Sequence, residues 1–341
     1  MALFFVLLHT AGGAASISAA ASRGNVLILD HYNYNHRQGD HNLLKAFFFD
    51  LLGLRPDPRK AENLEAGKGT VWANMAAHQF HLSEGKPEPQ VLDGVITIGY
   101  RSLEGVRERL AAGVLPELAA SGFSFRELPD GDGLALTDPW GTPLRVVEGV
   151  DDDGRSQQAA ADDAEARCLL DLTFHLPKAT PPERLAGIGR YYEHVLGCRV
   201  VHLDERRIVL GTGGADRRDG SPCQTLSYEV SDERESVAHD DLGEDAEGRC
   251  LNRGAHVSLY LDDLPGAYRR ADALGLVYVN HRFKRRAYTL EEAVEQCMFR
   301  TLDVVDPDDP SAGPIVRLEH EVRSARKADG SKYKSCPLEA L

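Results

Sequence analysis

Apolar and polar positions alternate cleanly from Leu169 to Leu176, where Leu170, Leu172, Phe174 and Leu176 stand opposite Asp171, Thr173 and His175. A period of two belongs to a strand with one apolar and one polar face. A second candidate strand runs from Val26 to His36. Each is followed by a helical pattern with the same ending: KAFFFDLLGLR from Lys45 to Arg55, and GRYYEHVLGCR from Gly189 to Arg199. Both carry paired aromatics, then Leu-Gly, then Arg. Gly53 and Gly197 are the expected left-handed helix caps, a conformation that other residues adopt only at a cost.

A second kind of repeat pairs VITIGYRSLEGVRERLAA, from Val95, with HVSLYLDDLPGAYRRADALG, from His256. Each reads as strand, short turn and helix. Short β runs follow every helix: Thr70–Met75 and His78–Leu82; Phe123–Leu128, Leu134–Thr137 and Leu144–Glu148; Arg199–Leu203, Arg207–Leu210 and Thr225–Val230; Leu276–Asn280, Phe299–Val305 and Ile315–Val322. The predicted order is βαβββ, repeated four times. Such a unit has a polar sheet face that it cannot cover alone, so two units side by side enclose a cleft.

Length and composition refine this picture. A chain of 341 residues is long enough for two domains. With 42% hydrophobic and 27% charged residues it has the balance of a globular protein rather than a disordered or collagen-like one. The net charge of −14 argues against a nucleic-acid backbone or an anionic membrane surface as partner. The six cysteines are dispersed and never spaced C-x-x-C, which excludes a disulfide scaffold and a zinc knuckle. Residues 1–24 hold a short apolar run followed by small residues, a candidate targeting segment too short to span a bilayer. The acidic stretch 149–167 has no bulky apolar residue and reads as a linker between a first domain, 25–148, and a second, 168–323. Ser231–Gly248 reads as an exposed acidic insertion, and 324–341 as a polar tail. The location is cytoplasmic, or an organelle or the exterior if residues 1–24 are cleaved.

The strings LDHYNYNH at Leu29–His36, DPWGTPLRVVE at Asp138–Glu148, GAHVSLYLDD at Gly254–Asp263 and IVRLEHEVRS at Ile315–Ser324 complete the pattern together with the Leu-Gly helix ends. The chain thereby resembles the vicinal oxygen chelate superfamily of glyoxalases, bleomycin-resistance proteins, extradiol dioxygenases and methylmalonyl-CoA epimerases. The resemblance implies an α+β fold of four βαβββ modules paired into two glyoxalase-like domains. It also implies a cleft metal held by His, Gln and Glu from the first and last strands of paired modules, binding two neighbouring substrate oxygens as a Lewis acid.

Carried over position by position, the family's ligands fall in the first half on His31, Gln79, Val95 and Arg145. Valine has no lone pair and arginine is a permanent cation, so no metal is expected there. His31 is then a cleft residue hydrogen-bonded to Asn33 or Gln79. In the second half the expected ligands are Asp171, His256 and Glu319, a set suited to Fe, Mn or Zn, with Arg317 on the same strand. The competing arrangement is an ion pair from Arg317 to Asp171 or Glu319 that needs no metal. Tyr260 and His175 are acid or base candidates in the same cleft. The loop HRFKRR, His281–Arg286, is a basic cluster suited to drawing an anion toward it, or else a solvated face. The GTGG at Gly211–Gly214 lacks the Lys-Ser/Thr of a phosphate loop and reads as a hairpin turn.

Two functions remain open from these residues. One is a metal-dependent dioxygenase, lyase or isomerase acting on a small oxygen-rich molecule in the C-terminal cleft. The other is a metal-free protein of bleomycin-resistance type that binds or sequesters a small ligand. Either fits a monomer or a homodimer with a small-molecule partner, no nucleic acid and no transmembrane segment.

Overall fold

The computed structural model describes residues 24–85, 89–150, 164–213, 223–234 and 254–338. The expected targeting segment and most of the acidic linker and acidic insertion lie outside the described residues. The fold is α+β, built on two mixed sheets of seven and eight strands. No described helix is long and apolar enough to cross a membrane.

The first sheet contains β1 (Val26–Arg37), β2 (Arg55–Pro56), β3 (Val71–Met75), β4 (His78–Gly85), β13 (His256–Leu261), β14 (Met298–Val304) and β15 (Val316–Ser324). Its spatial order is β14-β15-β13-β1-β4-β3-β2. The second contains β5 (Gly94–Tyr100), β6 (Ser124–Glu127), β7 (Gly133–Thr137), β8 (Pro143–Val147), β9 (Ala166–Leu176), β10 (Arg199–Leu203), β11 (Arg207–Gly211) and β12 (Thr225–Val230). Its order is β10-β11-β12-β9-β5-β8-β7-β6.

The modules therefore pair first with fourth, through antiparallel β1 and β13, and second with third, through antiparallel β5 and β9. A cleft made within each half of the chain was the expectation, and the sheets correct it: each draws on both halves. The apolar faces meet in one extensive core that includes Tyr34, Phe47, Phe48, Phe80, Phe174, Tyr191, Tyr192 and Tyr228, all with essentially no exposure. Concentrating aromatics there removes much apolar area from water, the main driving force available to the fold.

Both aromatic-rich helices end as their sequences predict. His41–Leu44 continues as a wider π turn over Lys45–Leu51, and Pro182–Tyr191 continues likewise over Tyr192–Leu196. Gly53 and Gly197 then take φ of 68°. The fourth module departs from expectation. Leu276–Asn280 contributes only an isolated bridge, Val277 to Thr301, and a helix, Leu290–Gln296, follows it. Thr289 and Glu292 close that helix's N-terminus as a reciprocal capping box.

The segment after Arg323 is more than a polar tail. Tyr333, Cys336 and Leu338 are buried against Ile28 and Tyr260, and the Tyr260 hydroxyl donates to the Ser335 carbonyl at 2.7 Å. It packs against the polar face of the first sheet, where the candidate site lies.

Candidate metal centre

Strand register brings three donors together. Across the antiparallel β1–β13 pair, Asn33 faces His256 and His31 faces Ser258; across the parallel β13–β15 pair, Ser258 faces Glu321. A register shift between Leu29 and His31 interrupts the ladder at that point, as irregularities often do beside functional groups. One ligand atom each from His31, His256 and Glu321 lies within 4.8 Å of the others, and all three residues are buried.

The two imidazoles face each other through Nε2, 3.3 Å apart, and His256 Nε2 is 3.6 Å from Glu321 Oε2. Their far sides fix the tautomer. His31 Nδ1 lies 2.7 Å from Asp30 Oδ2, and His256 Nδ1 lies 2.7 Å from the Gly254 carbonyl. Both partners only accept, so each Nδ1 carries the hydrogen and each Nε2 is left as a lone pair. Burial lowers both histidine pKa values. Asp30 partly opposes this at His31, while Arg300 adds to it at His256. Two neutral imidazoles thus present bare lone pairs to one another, an arrangement that a cation between them would relieve. Histidines whose other nitrogen is held by a carboxylate or a backbone carbonyl are the usual form of metal-binding imidazole.

Glu321 completes a donor set of two imidazoles and one carboxylate, which suits Fe(II), Mn(II) or Zn(II). Burial alone would raise its pKa, but Arg323 and Arg300 outweigh that and hold it ionised well below the usual range. Arg300 donates to both Glu319 and Glu321, and Arg323 donates to the other oxygen of Glu321. Asp30, Glu319 and Glu321 are three buried acids beside these two arginines, and the donor set itself, two neutral imidazoles and one carboxylate, carries a single negative charge. The residues present therefore fit a divalent cation.

A cavity of about 350 Å³ adjoins the cluster. His81, which lines it, stacks on His31 at 3.6 Å between centroids and on Trp72 at 4.4 Å. On the opposite side Phe283 sits edge-on to His256 with the Arg300 guanidinium 3.9 Å over its ring.

The residues singled out by sequence are distributed as follows. His31 and His256 converge, which brings a first-half residue into a centre expected only in the second half. Asp171 does not join them: it is on β9 of the other sheet, where Thr173, Thr225 and Ser227 hydroxyls donate to its carboxylate. Glu319 lies beside the centre but its oxygens are taken by Arg300 and by Asn280, the latter at 2.7 Å. Arg317 pairs with Asp303 at 3.2 Å and does not fill the cleft. Gln79 donates to Asp57 and Asn74 and lies 3.1 Å from His81. Asn33 donates to the Gly254 carbonyl. Arg145 is exposed on β8 of the second sheet. Tyr260 is buried under the C-terminal segment, and burial pushes its pKa well up. His175 pairs with Asp93 at 2.9 Å on the second sheet. Glu321 was not selected from the sequence, although it shares a strand face with Glu319. Which acid reaches the centre depends on the β13–β15 register.

No protein-family model and no curated protein matches the chain. Solved structures do. Glyoxalase I from Zea mays aligns with 12% identity and a TM-score of 0.48, over 88% of this chain and 93% of that one. The cppA protein from Streptococcus pneumoniae TIGR4 aligns with 8% identity and a TM-score of 0.41, over 87% and 99%. The 2,3-dioxygenase LapB from Pseudomonas sp. KL28 aligns with 15% identity and a TM-score of 0.27, over 88% and 92%.

Proposed function

We propose that this protein is a divalent-metal-dependent enzyme of the vicinal oxygen chelate type, a dioxygenase, lyase or isomerase, with His31, His256 and Glu321 as metal ligands and a small oxygen-rich substrate in the adjoining cavity. The observation that carries this reading is the pair of facing Nε2 lone pairs beside a buried carboxylate. A bound metal would supply Lewis-acid stabilisation of charge developing on substrate oxygens. The protein's own part is positional. Asp30 and the Gly254 carbonyl hold the imidazoles in register, and Arg300 and Arg323 keep Glu321 ionised and oriented. The Trp72, His81 and Phe283 rings wall the cavity with flat surfaces. His81 donates from Nε2 to Gln79, and burial, with the neighbouring His31, keeps its ring neutral by holding its pKa well below the usual imidazole range.

One observation favours the metal-free ligand binder: two guanidiniums already satisfy Glu321. Elemental analysis of protein purified without chelator, followed by Mn(II) titration, separates the two. About one equivalent of metal, lost in both His31→Ala and His256→Ala, is expected. Less than about a tenth of an equivalent, with no Mn(II) uptake, leaves only the binder.

A further inference from the structure

The chain is strongly acidic overall, yet the cavity is not. Its lining carries Arg59, Lys284, Arg285, Arg300, Arg323 and Lys334 against only Asp30 and Glu321. Three of these cations are engaged by carboxylates: Arg300 and Arg323 by Glu321, and Arg59 by Asp57. Lys284, Arg285 and Lys334 have no carboxylate within 4.0 Å among the described residues.

These three come from separate parts of the chain. Lys284 and Arg285 belong to the basic loop, and Lys334 to the C-terminal segment. The two parts are fastened together, since Arg285 donates to the Tyr333 hydroxyl and the Tyr260 hydroxyl donates to Ser335. The buried Tyr333 and Cys336 fix Lys334 between them at the rim. All three are exposed, so an incoming anion can meet them without displacing a carboxylate. Deeper in, Trp72 and Phe283 leave room for a flat or compact body, and a volume of about 350 Å³ is at the small end for ligand sites.

We infer that the site takes a compact organic anion, its carboxylate or phosphate group gripped at the rim by Lys284, Arg285 and Lys334 while its neighbouring oxygens reach toward His31, His256 and Glu321. The inner half of this placement rests on the proposed metal site; the rim half does not.

The test uses matched probe pairs on the full chain, by calorimetry at low ionic strength with and without Mn(II): 3,4-dihydroxybenzoate against catechol, and 2-phosphoglycolate against glycolate. At least one anionic or more highly charged member should bind about tenfold more tightly than its partner, and 0.5 M salt should erase most of that advantage. The first pair responding identifies a carboxylate grip and the second a phosphate grip. In the Lys284→Gln/Lys334→Gln double variant the ratio should fall below about threefold with the weaker member's affinity unchanged. Arg285→Gln, assayed separately because it also holds Tyr333, should lower the ratio less. Equal affinities within both pairs, absence of binding, or a ratio surviving the double variant would each overturn the inference. His256→Ala separates the two claims. It should weaken both members of a pair alike and preserve their ratio. Metal uptake without anion preference sinks the anion grip alone, and anion preference without metal uptake sinks the metal centre alone.

Discussion

Gln224 and Leu29 are joined by two hydrogen bonds across 195 residues: the Gln224 Oε1 accepts from the Leu29 N–H at 2.9 Å, and its Nε2 donates to the Leu29 carbonyl at 2.8 Å. The same Nε2 also donates to the Leu169 carbonyl at 2.9 Å. Leu29 lies on β1 of one sheet and Leu169 on β9 of the other, so a single buried amide stitches the sheets together. β4 pairs with β1 only from His31 onward, and the amide takes the place of a strand partner just upstream of the metal-ligand candidate. Gln224→Leu removes the partner of three buried backbone groups, the Leu29 N–H and the Leu29 and Leu169 carbonyls, and should cost about 3 kcal/mol. Urea unfolding measures it; a loss under about 0.5 kcal/mol at unchanged slope means that other groups hold the sheets together.

Glu321 and Glu319 should separate sharply in metal titrations. Glu321→Gln removes a charged ligand and should weaken Mn(II) binding by about a hundredfold, whereas Glu319→Gln should change it by no more than about tenfold. Asp30→Asn leaves all three ligands but alters the partner of His31 Nδ1. It should keep the stoichiometry while costing about tenfold in affinity. Equal effects of the two glutamate substitutions would place the ligand wrongly.

Gly94 tests the joint between the second and third modules. Its φ is 152°, and a Cβ there would come 1.8 Å from the Thr173 carbonyl oxygen, which is backbone and cannot swing aside. Gly94→Ala should therefore open the start of the β5–β9 ladder and lower stability by about 2 to 4 kcal/mol. Gly67 also has positive φ but nothing within 4 Å of the added carbon. Gly67→Ala should cost only about 1 kcal/mol, from backbone strain alone. Thermal unfolding of the two variants side by side checks the difference, and similar losses would contradict the steric account.

Much of this architecture is legible locally. The alternation at Leu169–Leu176, the Leu-Gly helix ends and the first three repeats appear where sequence places them, because side-chain period and glycine conformation are local properties; the fourth departs at Leu276–Asn280. Module pairing is not local. The β1–β13 contacts join residues such as His31 and Ser258, and no residue-by-residue pattern says that β1 should choose β13 over β5. The site inherits that ambiguity. His31 and His256 are visible as residue types, but pairing the third module with the fourth puts Asp171 beside His256 and leaves His31 in a separate cleft. Glu321 was passed over because alternation puts Glu319 and Glu321 on one face without saying which is level with the imidazoles. The capping box Thr289-x-x-Glu292 was, by contrast, a readable signal for the helix that sequence reading missed.

His36 gives the fold an acid-sensitive point distinct from the metal ligands. The residue is buried near the end of β1, with His41 edge-on at 4.7 Å and Trp140 at 6.0 Å. Burial, and next the neighbouring His41, lower its pKa to about 4, while Glu84 and Asp40 pull weakly the other way. The unfolded chain would protonate this imidazole near pH 6.5. The folded state therefore holds fewer protons between these values, and stability falls as pH drops from about 6.5 through about 4. Above pH 6.5 the contribution is fully present. Integrated over that window, the shift amounts to about 3 kcal/mol. His36→Leu removes the titration, so its unfolding free energy should decline less steeply with acid, by nearly one proton's worth of slope near pH 5. Urea midpoints and slopes at half-unit pH steps from 7 to 4 supply the comparison. Parallel curves for the two proteins would mean that His36 is already protonated, or solvated, in the folded state.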